Sequence, residues 1–214
     1  MPRRKELFFN NGIYHIFNRF VHKSPYFADD NLCRHFLESI NYYLQSDPPV
    51  SFSLFKRFEN NFPISVSNRL VSVVNYGLMP THFHFTLRQD SENGVKKFLT
   101  KISSSLSHYL NLKEELRGPI FESTFKAVLI ESNEQLLHLS RYIHLNPVSS
   151  GLVKRPEDYQ FSSYRTYLGL DKIKWVDPSM VLDQFSSIKQ YKEFVENNME
   201  YQKSLEKLKY ISLD

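Results

Sequence analysis

Residues 69–88 read RLVSVVNYGLMPTHFHFTLR, and this stretch decides the fold. Arg69 to Tyr76 is β-branched and strand-like, Gly77 to Thr81 gives a turn or bend, and His82 to Arg88 alternates as a second strand. The two read as a hairpin or as close neighbours in one sheet. Strand side chains alternate faces, so His82 and His84 point the same way while Phe83 goes to the other face. Such a pair can grip a metal ion from one side. Two histidines on the solvent face of an edge strand would give the same letters, so the pair alone does not settle the matter.

Sixty residues downstream, Gln135, His138, Leu139, Tyr142 and Asn146 recur at three- and four-residue spacing, which makes one stripe on a helix over Ser132 to Asn146. Tyr142 and Asn146 share a face. Pro147 disfavours helical geometry at Asn146 and marks the expected helix end. A buried tyrosine and a terminal asparagine cap would also fit this segment. Beside a histidine pair, a nucleophile with an amide one turn away becomes the better account.

Here the chain resembles a known family. Met79-Pro80-Thr81-His82-Phe83-His84 is similar to the signature of the HUH single-tyrosine transposases, in which the residue between the histidines is a bulky hydrophobe. Arg141-Tyr142-Ile143-His144-Leu145-Asn146-Pro147-Val148 is similar to a block of one branch, the REP-associated tyrosine transposases. Weaker likeness runs from Gly12-Ile13-Tyr14-His15-Ile16-Phe17-Asn18-Arg19 to Phe161-Ser162-Ser163-Tyr164. Thr81 stands where the family usually has asparagine. The resemblance implies a metal-dependent enzyme that cleaves and rejoins single-stranded DNA at hairpin or palindromic sites. Tyr142 would form a 5′-phosphotyrosine intermediate, and His82, His84 and Asn146 would hold magnesium or manganese. Two imidazoles favour a transition ion while magnesium prefers oxygen, so manganese is at least as easy to defend. A homodimer is a further implication, since the tyrosine helix of relatives sometimes serves the other subunit. The alternative is a domesticated DNA-binding protein of the same fold without turnover. A ferredoxin-like RNA-binding module would leave Tyr142 and Asn146 unexplained.

Outward from these blocks, Gly12 to Phe20 reads as a first strand, and Asp29 and Asp30 cap a helix to about Gln45 with Phe36, Leu37, Ile40 and Leu44 inward. Residues 48–68 read as an irregular insertion with a short strand at Phe52 to Phe55. Ser91 to Glu115 is helical, with Val95, Phe98, Leu99, Ile102, Leu106, Tyr109 and Leu110 as a core stripe. Phe125 to Glu131 makes another strand before the tyrosine helix. The order predicts an α+β fold, a ferredoxin-like β-α-β-β-α-β sheet with a catalytic helix after the last strand and a C-terminal helical extension. Residues 1–150 form the expected core domain. Residues 151–214 form an aromatic loop and the extension, with Pro178 to Leu208 as two helices.

The 214 residues are 41% hydrophobic and 15% aromatic, which excludes disordered and fibrous classes. Cys33 is the only cysteine and reads as a small core residue, so no intramolecular disulfide is available and a reducing, cytoplasmic setting is expected. No apolar run reaches membrane-spanning length. The formal charge of +4 permits DNA binding without requiring it. Candidate phosphate contacts are Arg19, Lys96, Lys97, Lys101, Lys126, Arg141, Lys154 and Arg155. His144 lies about 200° round the helix from Tyr142 and is expected to be structural, as are His15, His108 and His138.

Overall fold

The computed structural model describes residues 8–58, 62 and 68–200. Four strands, β1 (Ile13–Arg19), β2 (Val71–Met79), β3 (His82–Gln89) and β4 (Lys126–Leu129), pair antiparallel in the order β2-β3-β1-β4. The helices are α1 (Asp30–Tyr43), α2 (Phe52–Arg57), α3 (Gly94–Lys113), α4 (Asn133–Ser149), α5 (Tyr164–Tyr167), α6 (Ser179–Leu182) and α7 (Ile188–Glu196). This is the split β-α-β-β-α-β arrangement with the tyrosine helix α4 following the last strand. No described helix is long and apolar enough to cross a membrane.

Alternation along the strands divides the sheet into two unlike faces. Tyr14 and Ile16 of β1 and Phe83 and Phe85 of β3 are fully buried on the face covered by α1 and α3. Phe36 of α1 packs its ring 5.9 Å from that of Phe83 and 6.5 Å from that of Phe85. Each such ring contributes roughly 1.5–3 kcal/mol when fully removed from water. The Asp29 carboxylate caps α1 by accepting from Asn31 N at 2.8 Å, and Lys113 at the end of α3 pairs with the same side chain at 2.7 Å. Cys33 is buried in this layer, its thiol pushed up to about 12 by desolvation.

The β2–β3 turn is tighter than the sequence suggests. Strand β2 continues through Gly77 to Met79, which pairs with His82, so Pro80 and Thr81 alone close the hairpin. Their carbonyls accept from Phe27 N at 3.0 Å and Phe20 N at 2.9 Å, which pins the tip and leaves neither acceptor unused. Residues 52–55 lie in the helix α2 rather than in a strand, because Ser51 caps Leu54 N and Phe52 and Phe55 turn inward together onto Tyr42. Most of residues 59–67 lies outside the described set.

The helix α4 also outruns its expected end. Ser132 caps Gln135 N at 3.2 Å, and the helix passes through Pro147 to Ser149. Gly151, at φ +72°, terminates it. Leu152 N donates to Pro147 O at 2.9 Å and Gly151 N to Val148 O at 3.1 Å, the paired bonds of a Schellman stop. Beyond it, Tyr164, Tyr167, Tyr191 and Val195 are buried, so α5 and α7 extend the core behind α4. The part of the expected second C-terminal helix beyond residue 200 lies outside the described residues.

Candidate active site

The second face of the sheet carries the histidines. Antiparallel register sets His84 opposite Gly77 of β2 on one side and Phe17 of β1 on the other, while His82 stands opposite Met79 and Arg19. Helix α4 packs over β2. A Cβ built on Gly77 would lie 3.2 Å from Ile143 Cγ2 and 3.5 Å from Ile143 O, so a side chain there would hold the helix away. The approach matters because Tyr142 adjoins Ile143. Its ring lies edge-on to His84 at 5.5 Å between centroids and 86° between planes, within one chain. Sixty residues apart in sequence, the tyrosine and the histidine pair meet.

Each histidine is held at Nδ1. Thr81 Oγ1 lies 3.0 Å from His82 Nδ1, and His15 Nε2 lies 3.0 Å from His84 Nδ1. Either tautomer fits these distances; the one with the proton on Nδ1 directs each Nε2 lone pair toward a ligand. The rings sit 4.9 Å apart at 88°. His15, expected to be structural, therefore belongs to this cluster. Burial lowers its pKa to about 4, which keeps the ring neutral. His15, Phe17 and Arg19 alternate on β1 as His82, His84 and Thr86 do on β3, but only the β1–β3 register brings His15 beside His84.

Asn146 lies one turn after Tyr142 and is 4% exposed. Ser150 Oγ is 3.4 Å from its Oδ1, and its Nδ2 is buried with no hydrogen-bond partner. With the two amide atoms exchanged by a half-turn of the side chain, the nitrogen meets Ser150 and a buried carbonyl oxygen is left to accept a ligand. Among the described residues no group of three or more His, Cys, Asp and Glu side chains could hold a metal ion. Imidazole nitrogens and an amide oxygen are donors of the kind that divalent transition ions take.

His144 points the other way, as expected. It is fully buried, its Nδ1 2.7 Å from the Tyr191 hydroxyl and its Nε2 2.9 Å from Ser163 Oγ. Tyr191 reaches Ser140 at 2.8 Å, and Ser163 Oγ accepts from Tyr76 N at 2.9 Å. The network ties α4 to β2 and α7. Desolvation lowers the His144 pKa to about 3.

The basic candidates divide by layer. Arg19 and Lys126 are exposed on the histidine face, Lys126 standing opposite Phe17 in register. Lys96, Lys97 and Lys101 are on α3, across the sheet from the histidines, because that helix turns Val95, Phe98 and Leu99 into the other layer. Among them, Lys101 donates to Ser46 O at 2.9 Å. Arg141 sits 4.6 Å over the Phe194 ring and 2.6 Å from His138 Nδ1, which draws it toward α7. Arg155 is paired with Asp158 at 2.8 Å, and Lys154 is exposed nearby.

Comparison with solved structures returns a REP-associated tyrosine transposase bound to a REP hairpin, with a TM-score of 0.57 and 19% identity over 87% of this chain and 96% of that one. The two share a fold. No family model matches the chain, and no curated protein does.

Proposed function

We propose that the protein is a metal-dependent DNA strand transferase, a tyrosine transposase or nuclease that cleaves and rejoins single-stranded DNA at hairpin or palindromic sites. The observation that carries the reading is the meeting of Tyr142 with His84 in one chain, over a glycine that admits the helix. Nothing in a generic core requires it. The shared fold with a hairpin-bound transposase supports the same reading.

His82, His84 and Asn146 would hold the ion. An ion held there would supply charge neutralisation on the non-bridging phosphate oxygens. Tyr142 supplies the nucleophile. Its oxygen forms a bond to phosphorus as the P–O3′ bond breaks, the phenolic proton goes to solvent, and the departing 3′ oxygen takes up a proton. A 5′-phosphotyrosine conserves the ester, so a second 3′ hydroxyl can displace Tyr142 and rejoin the strand. Gly77 and Ile143 position the helix, and His15 and Thr81 fix the imidazoles, which serves attack in line with the leaving oxygen. Because Tyr142 and the histidines come from one chain, a partner subunit is not needed to complete this set.

The test is incubation with labelled hairpin-bearing single strands and manganese, followed by denaturing electrophoresis. A protein–DNA adduct that survives denaturation and is absent from Tyr142→Phe is expected. Binding without any adduct, in manganese and in magnesium, would instead support the reading as a DNA-binding protein without turnover.

A further inference from the structure

Among the described residues the histidine face is only half covered. Helix α4 lies over β2 and reaches β3 through Tyr142, while β1 and β4 stay partly open on that side. Ile13, His15 and Phe17 are half-buried, Arg19 and Lys126 are exposed, and Val128 is 49% exposed. Rings gather at the border between the two halves. His15 stacks on Phe17 at 4.9 Å and 30° and on His84 at 5.2 Å and 20°, and Phe17 lies 6.0 Å from His84. Lys126 Nζ is 5.8 Å from the centre of the Phe17 ring.

We propose that Phe17, flanked by Arg19 and Lys126, is a stacking platform for an unpaired nucleobase beside the cleaved phosphate. This rests on the function proposed above and names the part of the substrate that this half of the sheet takes. The occupant is argued from charge and position. Among the described residues neither Arg19 nor Lys126 has a carboxylate within ion-pair distance, whereas Arg88, Arg155, Arg165 and Lys192 are all paired. Two unneutralised cations around an aromatic ring match the composition of single-strand grooves, where bases stack on rings and cations track the backbone. In register, Phe17 is the direct neighbour of His84, so a strand whose phosphate sits at the histidines lays its next base over Phe17. Stacking would favour unpaired DNA over duplex, since inside a duplex both faces of a base are covered by the pairs stacked above and below it.

The experiment uses the full chain carrying Tyr142→Phe, so that binding is read without chemistry. The probe is a fluorescent hairpin oligonucleotide library with randomised unpaired flanks, in manganese, followed by anisotropy. Phe17→Leu is expected to weaken binding about five- to a hundredfold, the range of one base–aromatic stack, with its melting temperature retained. Lys126→Glu is expected to weaken binding and to flatten its salt dependence. Affinity within about twofold of the parent in both variants would overturn the platform. If the unsubstituted protein still forms its covalent adduct in that case, the proposed function survives and only the platform fails; if it neither binds nor reacts, both fail. Should Phe17→Leu melt early, Lys126→Glu decides. A change in the solution mass of the assembly with unchanged DNA affinity in Lys126→Glu would make the face a contact between copies of the chain and also overturn the proposal.

Discussion

Replacing His15 with phenylalanine isolates one bond. Phenylalanine keeps a ring between Phe17 and His84 but cannot form the 3.0 Å hydrogen bond that joins His15 Nε2 to His84 Nδ1. His84 is 6% exposed, so water replaces that acceptor poorly. Leaving a buried donor unsatisfied costs about 1–3 kcal/mol, and part of that cost falls on the bound state, where the ring must hold one tautomer. Loss of an orienting partner typically weakens metal binding about 10- to 100-fold. That factor corresponds to about 1.4–2.7 kcal/mol, inside the same range. The assay is titration of apoprotein with manganese, with free ion followed by its paramagnetic resonance, comparing His15→Phe and the parent. His84→Ala serves as the reference for full loss. A His15→Phe protein that melts like the parent and binds manganese equally would refute the role given to His15. The reasoning extends to Thr81→Val, which removes the acceptor on His82 Nδ1 with little change of shape.

Gly77→Ala would place a methyl 3.2 Å from Ile143 Cγ2, so α4 must move by a few tenths of an ångström; strand cleavage should fall about three- to tenfold with little change in DNA affinity, read from single-turnover rates. Tyr191→Phe strips a hydroxyl shared by Ser140 and His144 and should cost about 1–3 kcal/mol in urea unfolding, with manganese affinity nearly unchanged. Acid should destabilise the fold through His144. Its folded pKa, lowered to about 3 from 6.5, means that the unfolded chain takes up a proton that the native state refuses. The stabilisation is whole above about pH 6.5 and declines by up to about 1.4 kcal/mol per pH unit down to about pH 3, so unfolding at about pH 5 should be easier by roughly 2 kcal/mol than at neutrality. A flat stability profile across that interval would contradict the burial of His144.

Patterns of period two and period 3.6 made most of this fold legible. The hairpin, the cap at Asp29 and the stripe from Val95 to Leu110 are local signals that tertiary packing had no reason to override. The errors arose where two local rules competed. Pro147 was read as a stop, yet a proline within the last turns removes only one bond, and Gly151 offered the better terminator with its positive φ. Phe52 to Phe55 had strand-like letters, but Ser51 supplied a cap and Tyr42 an aromatic surface, which made one helical turn the better way to bury both rings. His82, His84 and Tyr142 were recognisable because one strand spacing and one helix block fix their faces. His15 was not, because its importance depends on the β1–β3 register, a long-range pairing that no single segment encodes. Charge along a helix likewise does not reveal which side of the sheet that helix covers, so the place of the α3 lysines was not legible either.

The central claim is that Tyr142 attacks DNA from its place beside the histidine pair, and mapping a trapped adduct tests it most directly. Cleavage after Arg141 and Lys154 releases residues 142–154, a peptide in which Tyr142 is the only tyrosine. After reaction with hairpin-bearing single strands in manganese, nuclease trimming and trypsin, mass spectrometry should find this peptide carrying a nucleotide through its 5′ phosphate. The modification should disappear in His82→Ala and His84→Ala proteins that still fold. An adduct on any other tyrosine, or an unmodified 142–154 peptide in protein that has cleaved its DNA, would contradict the account.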